Sequence, residues 1–306
     1  MTSIGSPGGR LVGYLEAIAA ACLWGSSGIF AVHLFRLGVR PETVAFLRPA
    51  VGVLALALAV FARNRAALRV GARELVVLAV GGGAAVAVFQ VSYLMSTDAV
   101  GVPTTVALLY LAPAIVAAAA GPLLREWPTA RRVGLVALTV VGVWLSVLGA
   151  KEIPSAFGGS GLLWGGLAGV SYASYTLFGR FATPIYGSVP TTVYSTAGAC
   201  VLLALWLPLS GSAFTFPVEA RSWVLIGAFG VLTIGVAQFL FFDALGRIEA
   251  SGASVATAAE PATAAVLATL ILAQGLEPLG WLGICLIVAG VMGVGLSATP
   301  GSSRRP

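Results

Sequence analysis

Residues 250–273 read ASGASVATAAEPATAAVLATLILA, a segment long enough to cross a bilayer that carries a carboxylate, Glu260, followed directly by Pro261. Both sit near the middle of the segment, where a charge is most costly and a helix break most disruptive. The rest of the chain has the same character. Of 306 residues, 58% are hydrophobic and 9% charged, and the mean hydropathy is +0.99. A soluble domain carries about 25% charged residues, so most of this surface cannot face water. These features define a polytopic membrane protein with lipid around it. The net charge of +6 comes mainly from arginines in short gaps between apolar runs. That pattern fits membrane orientation, and no nucleic-acid partner is expected. Cys22, Cys200 and Cys285 lie inside apolar runs without a CxxC spacing, and His33 stands alone at a segment end. Disulfide, metal and cofactor readings therefore find no support.

A crossing helix needs about 20 mostly apolar residues. Ten candidates follow, at 11–33, 42–62, 74–95, 102–124, 132–150, 160–181, 190–209, 222–243, 250–273 and 279–298. The first is too long for a cleavable signal and is read as a retained span. With the N-terminus inside, the inner segments hold Arg10, Arg63, Arg65, Arg69, Arg73, Arg125, Arg131, Arg132, Arg180, Arg247, Arg304 and Arg305. The outer loops hold Arg36, Arg40, Lys151 and Arg221. Twelve against four places both termini in the cytoplasm of a multi-pass inner or plasma membrane protein.

Shifting the chain by 148 positions superimposes its halves almost without gaps: Gly13 falls on Gly161, Phe30 on Phe178, Gln90 on Gln238, Pro113 on Pro261 and Gly142 on Gly290. The halves, 11–150 and 160–298, hold five spans each. Five is odd, so the second half must sit inverted in the membrane. The expected fold is all-α, ten transmembrane helices as two inverted five-helix repeats. Inverted repeats are a mark of secondary transporters, with the substrate near the midplane between halves.

The residues LWGSSGIF at 23–30 and AFLRPAVGVLALAL at 45–58 carry a resemblance. So does DALGRIEASGASVATAAEPATAAVLATLILAQGLEPLGWLGICLIVAGV at 243–291, with its first-half equivalent MSTDAVGVPTTVALLYLAPAIVAAAAGPLLREWPTARRVGLVALTVVGV at 95–143. On these the chain resembles the EamA type of the drug/metabolite transporter superfamily, two repeats covering nearly all of it. The resemblance implies an exporter of small metabolites such as amino acids. One departure is Gln274-Gly275-Leu276-Glu277, where the family usually has Gly-Glu directly after the helix; Glu277 is given no role beyond a loop charge.

Glu260 falls on Ala112, so it belongs to one half only. A carboxylate in hydrocarbon either finds a cation or takes up a proton, and either suits a carrier. Arg48 is the one basic residue well inside a predicted span, about two turns from its outer end. It either snorkels outward, holds a substrate carboxylate, or pairs with Glu260. Pro113 and Pro261 are expected to kink their helices and free the carbonyls of Leu109 and Thr257. Trp24, its equivalent Tyr172, Tyr110, Gln90 and Gln238 complete the candidate substrate site, with Ser27, Tyr93, Tyr175 and Tyr194 nearby in the spans. Glu16 is expected to snorkel at the inner end of the first span, and Asp243 to act as a cap or gate charge.

The leading function is a secondary active transporter working by alternating access. A Walker-type GxxxxGK[ST] motif is absent, so direct ATP use is not expected. Protons are a candidate coupling ion, and the substrate a small molecule. A facilitative channel would need a continuous polar path. A membrane-embedded enzyme would need clustered His, Asp or Cys, and no enzymatic activity is expected. Ten spans in one chain suit either a monomer or a homodimer.

Overall fold

The computed structural model describes residues 7–124, 130–149, 159–209, 216–248, 253, 256–257, 259–273 and 275–296. Ten helical runs are present among them, and no strand. The first span is Pro7–Gly25 with Ser27–Arg36, interrupted at Ser26, and the second is Pro41–Asn64. The third comprises Ala72–Val76, a π-helical turn at Val77–Gly82, and Gly83–Val100. The fourth is Val102–Leu109 with Ala112–Leu124, and the fifth Ala130–Leu148. The sixth and seventh are Ser160–Tyr186 and Ser188–Leu209. The eighth joins Ala220–Gly230, a second π-helical turn at Val231–Val236, and Ala237–Arg247. The ninth and tenth are Ala259–Leu272 and Pro278–Leu296; residues 250–252, 254–255 and 258 of the opening stretch lie outside the described residues.

Five of the runs are both long and apolar enough to cross a membrane: Leu11–Arg36, Pro41–Leu68, Ala72–Val100, Ser188–Pro208 and Ala220–Arg247. Four others are apolar but shorter.

The packing repeats itself when the halves are exchanged. The first span lies against the eighth and ninth, and the sixth against the third and fourth. The second span packs on the seventh and eighth, the seventh on the second and third, and the fifth on the tenth. The fifth and tenth show the inversion directly. Gly142 abuts Gly283 and Ile287, Thr139 abuts Gly290, Leu135 abuts Gly293, and Gly149 abuts Gly280. Numbers rise along one helix as they fall along the other, so equivalent helices are antiparallel. The approach is close enough that a Cβ on Gly149 would fall 2.1 Å from the Gly280 nitrogen. Without a hydrophobic force between helices in lipid, such small-residue seams let backbones approach and gain dispersion energy.

The prolines act as helix punctuation rather than as bends. The fourth span breaks at Tyr110–Leu111 and restarts at Ala112, so Pro113 lies in the first turn of the new helix. In the ninth, Thr257 is a turn residue and the helix restarts at Ala259, with Pro261 again in the first turn. The first N–H groups of a helix have no intrahelical acceptor, so a residue lacking that donor is tolerated there.

Candidate functional site

Where the helix breaks meet the second π-helical turn, the chain buries a cluster of polar side chains. The first-span break lies on the ninth: a Cβ on Gly25 would meet Thr263 and, at 3.0 Å, the Glu260 carbonyl oxygen. Around this point Trp24, Ser27, Arg48, Phe89, Gln90, Tyr93, Tyr172, Tyr175, Gln238 and Glu260 line a small cavity of about 20 Å³. That holds roughly one water molecule.

Arg48 is 2% exposed, so it points inward and does not snorkel. Its Nε donates to Thr233 Oγ1 at 2.9 Å, Nη1 to Gln90 Oε1 at 3.2 Å and Nη2 to Ser27 Oγ at 3.4 Å. The guanidinium carbon stands 4.3 Å from the centre of the Phe229 ring and 5.9 Å from that of Tyr93, within reach of cation–π attraction. Neutral dipoles and ring faces hold this cation. A guanidinium has five N–H donors, and these three bonds leave capacity for an acceptor. Thr233 organises the cluster: its hydroxyl donates to the Phe229 carbonyl at 2.6 Å, and its own carbonyl accepts from Trp24 Nε1 at 2.8 Å. It sits in the second π-helical turn, where an extra residue re-aims the side chains of the eighth span.

Glu260 is 4% exposed. The Tyr110 hydroxyl lies 3.4 Å from its Oε2 and also donates to the Thr257 carbonyl, the group that Pro261 leaves without its usual donor. A phenol has one proton to give, so the carboxylate receives only a share of it. Arg48 and Glu260 border the same cavity yet form no ion pair. The ion pairs found among the described residues are Arg40–Glu42, Arg247–Glu16 and Arg247–Asp243.

The two halves contribute matching polar joints. Gln90 accepts from Arg48, and its equivalent Gln238 donates to Thr196 Oγ1 at 2.8 Å. Thr196 is itself the equivalent of Arg48 under the 148-residue shift. One joint thus carries a charge and the other does not. Aromatic side chains enclose the rest: Trp24 meets Tyr172 edge-on at 6.1 Å and Phe241 at 5.0 Å, while Phe89 lies 5.8 Å from Tyr172. The Tyr175 hydroxyl is buried with no hydrogen-bond partner among the described residues.

The structure therefore gathers Trp24, Arg48, Gln90, Tyr172, Gln238 and Glu260 around one cavity, with Tyr110 behind Glu260. Pro113 and Pro261 stand at the breaks that border it. Tyr194 is elsewhere, donating to the Leu68 carbonyl. Glu16 does not simply snorkel but pairs with Arg247, 3.3 Å away. Thr233, Phe229 and Phe89 escaped the sequence reading. A usable signal existed for Thr233: it falls on Ala85, so it is polar in one half only, the property that singled out Glu260. Among the described residues no group of three or more His, Cys, Asp or Glu is placed to hold a metal.

Fold and site together define a multi-pass, all-α membrane protein of two inverted repeats with a buried polar centre between them. A profile of the EamA-like transporter family matches residues 11–148 and again 159–296, and the chain belongs to that family. It is 24% identical over 295 residues to the uncharacterized inner membrane transporter YicL of Salmonella typhimurium, covering 94% of this chain and 96% of that one. It is 26% identical over 289 residues to the uncharacterized transporter YwfM of Bacillus subtilis, covering 94% of each. A solved crystal structure superposes with a TM-score of 0.72 over 96% of this chain and 98% of that one, at 18% identity, which shows a shared fold.

Proposed function

We propose that this membrane transporter is a secondary carrier that moves a small zwitterionic metabolite, such as an amino acid, by alternating access between its two inverted halves. The observation that carries the reading is the placement of Arg48 and Glu260. Each comes from a different half, both border one cavity, and they form no ion pair with each other. An amino acid presents a carboxylate for Arg48 and an ammonium for Glu260, with the aromatic walls taking its side chain. The small size of the cavity supports an occluded conformation, in which a substrate enters only after helices part. Export, a location in the inner or plasma membrane and cytoplasmic termini accompany this reading, on the resemblance and the arginine bias. Protons are the candidate coupling ion, because a buried carboxylate without a full partner can exchange one. A monomer holds both halves of the site, so a homodimer is not required.

Counterflow in proteoliposomes loaded with an amino-acid and metabolite panel, run at several pH values, tests the proposal. Saturable exchange of a zwitterionic solute is the expected result. Flux that neither saturates nor supports counterflow would indicate a channel, and no movement of any solute would overturn the carrier reading.

A further inference from the structure

We propose that Glu16, Asp243 and Arg247 form an ionic latch that closes one mouth of the central cavity, while the pseudo-symmetric joint at the opposite mouth is closed without an ion pair between its crossing helices. The inference rests on the alternating-access reading above.

The two joints share one geometry. Gly13 of the first span backs onto the eighth, where a Cβ would lie 3.1 Å from Arg247 Cβ and 3.0 Å from the Ile248 side chain. Shifted by 148 residues, Gly161 of the sixth span backs onto the third. There a Cβ would lie 3.0 Å from Ala99 Cβ and 2.6 Å from the Val100 side chain. One helix crossing is used twice, and because the halves are inverted it falls at opposite ends of the bundle.

The side chains flanking the crossing differ. At the first joint Arg247 Nη2 lies 2.6 Å from Asp243 Oδ2, and its Nε 3.3 Å from Glu16 Oε2. Asp243 Oδ1 accepts from Ser188 Oγ of the seventh span at 2.8 Å, and Arg180 of the sixth donates to the Leu245 carbonyl at 3.3 Å. The end of the eighth span is thereby tied to the first, sixth and seventh. The equivalents of Glu16, Asp243 and Arg247 are Trp164, Met95 and Ala99, all uncharged; Asp98, beside Ala99, is exposed there, and among the described residues no ion pair joins it to the sixth span. At that joint the Ser96 hydroxyl donates to the Gly161 carbonyl at 3.2 Å.

In a carrier of inverted repeats, one joint parts while its mate stays closed. Joints of unlike chemistry part with unequal ease. The Arg247 side chain is 43% exposed, and an ion pair at such a site shifts an equilibrium by up to about fivefold. The latch therefore biases the cycle toward closure at the Glu16 mouth, which the arginine distribution places on the cytoplasmic side.

Sided cysteine labelling tests this without any substrate. The three native cysteines are replaced by serine, Val86→Cys is introduced in the cavity wall, and a membrane-impermeant maleimide is applied to vesicles from either face. Arg247→Gln is expected to raise labelling by up to about fivefold from the face onto which the Glu16 mouth opens, with no rise from the other. Arg247→Lys should stay near the parent rate, and Glu16→Gln should move the same way as Arg247→Gln by a smaller factor. Unchanged labelling in both Arg247→Gln and Glu16→Gln overturns the latch. An equal rise from both faces also overturns it, since that marks general loosening. Labelling that responds while no solute moves upholds the latch and sinks the carrier reading; active counterflow with unresponsive labelling does the reverse.

Discussion

Three buried polar residues, Arg48, Thr233 and Glu260, stand where the opposite half of the molecule has Thr196, Ala85 and Ala112. A duplicated scaffold needs the same packing residues twice, so a charge or polar group present in one half only serves something that is not symmetric. Glu260→Gln keeps the shape and removes the charge. It is expected to cut counterflow by more than about tenfold, or to leave a flux that no longer responds to pH, while the melting temperature in detergent stays close to the parent value. Transport at the parent rate with the parent pH profile would remove Glu260 from the site. Thr233→Val is nearly isosteric but withdraws the acceptor from Arg48 Nε. An unsatisfied buried donor of this kind costs about 1–3 kcal/mol, so the variant should melt earlier and carry solute more slowly. Thr233→Ser, which restores the oxygen, should recover most of both. Glu260 and Arg48 were legible as charges in apolar runs; for Thr233 the one signal was its pairing with Ala85 under the 148-residue shift, a weak one because a lone threonine in a helix is usually bonded to its own backbone.

Helix breaks decide where those side chains meet. Two of the three breaks precede a proline, and both could be anticipated from Pro113 and Pro261. The third, at Ser26, has no such marker and no counterpart in Ser160–Tyr186, which runs through unbroken. The two π-helical turns were equally silent in the sequence, since inserting one residue into a helix needs only tertiary contacts that accept the new register. Pro261→Ala gives residue 261 a backbone donor for the Thr257 carbonyl, in competition with the Tyr110 hydroxyl. Hydrogen exchange should then show a protected amide at 261, and turnover should fall severalfold without loss of folded protein. At the fifth–tenth seam, Gly283→Leu places a side chain where a Cβ already meets the Ser146 nitrogen at 2.4 Å and the Gly142 carbonyl at 2.6 Å. Overpacking of this sort costs about 1–3 kcal/mol or more, and a lowered melting temperature in detergent is the expected readout. An unchanged melt would mean that the seam is not tightly packed in the membrane protein.

The contacts that hold the whole bundle together run mainly between halves. The first span reaches the eighth and ninth, the third reaches the sixth and seventh, and the fifth pairs with the tenth. Neither half can bury its polar faces alone. Separate polypeptides ending near 150 and starting near 159 are expected to co-purify and regain counterflow when made together, and to be degraded when made singly. Stable accumulation of one half by itself would contradict this. The apolar runs, the arginine bias and the 148-residue shift are local or periodic properties, so they were readable residue by residue and imply ten spans and their inversion, while the family resemblance rests on motifs such as LWGSSGIF and AFLRPAVGVLALAL. Bilayer insertion enforces that reading, because a polar gap or an apolar run must lie in water or in lipid respectively. The site has a different origin. Arg48 meets Thr233 across 185 positions, and Tyr110 meets Glu260 across 150. Neither partner carries a periodic signal. Their meeting depends on the angle at which helices cross, on where a π-helical turn re-aims a face, and on how closely glycine seams let backbones approach. Whether Arg48 and Glu260 would neutralise each other or stand apart was open in the sequence for that reason. Their separate hydrogen bonds follow from three-dimensional packing alone.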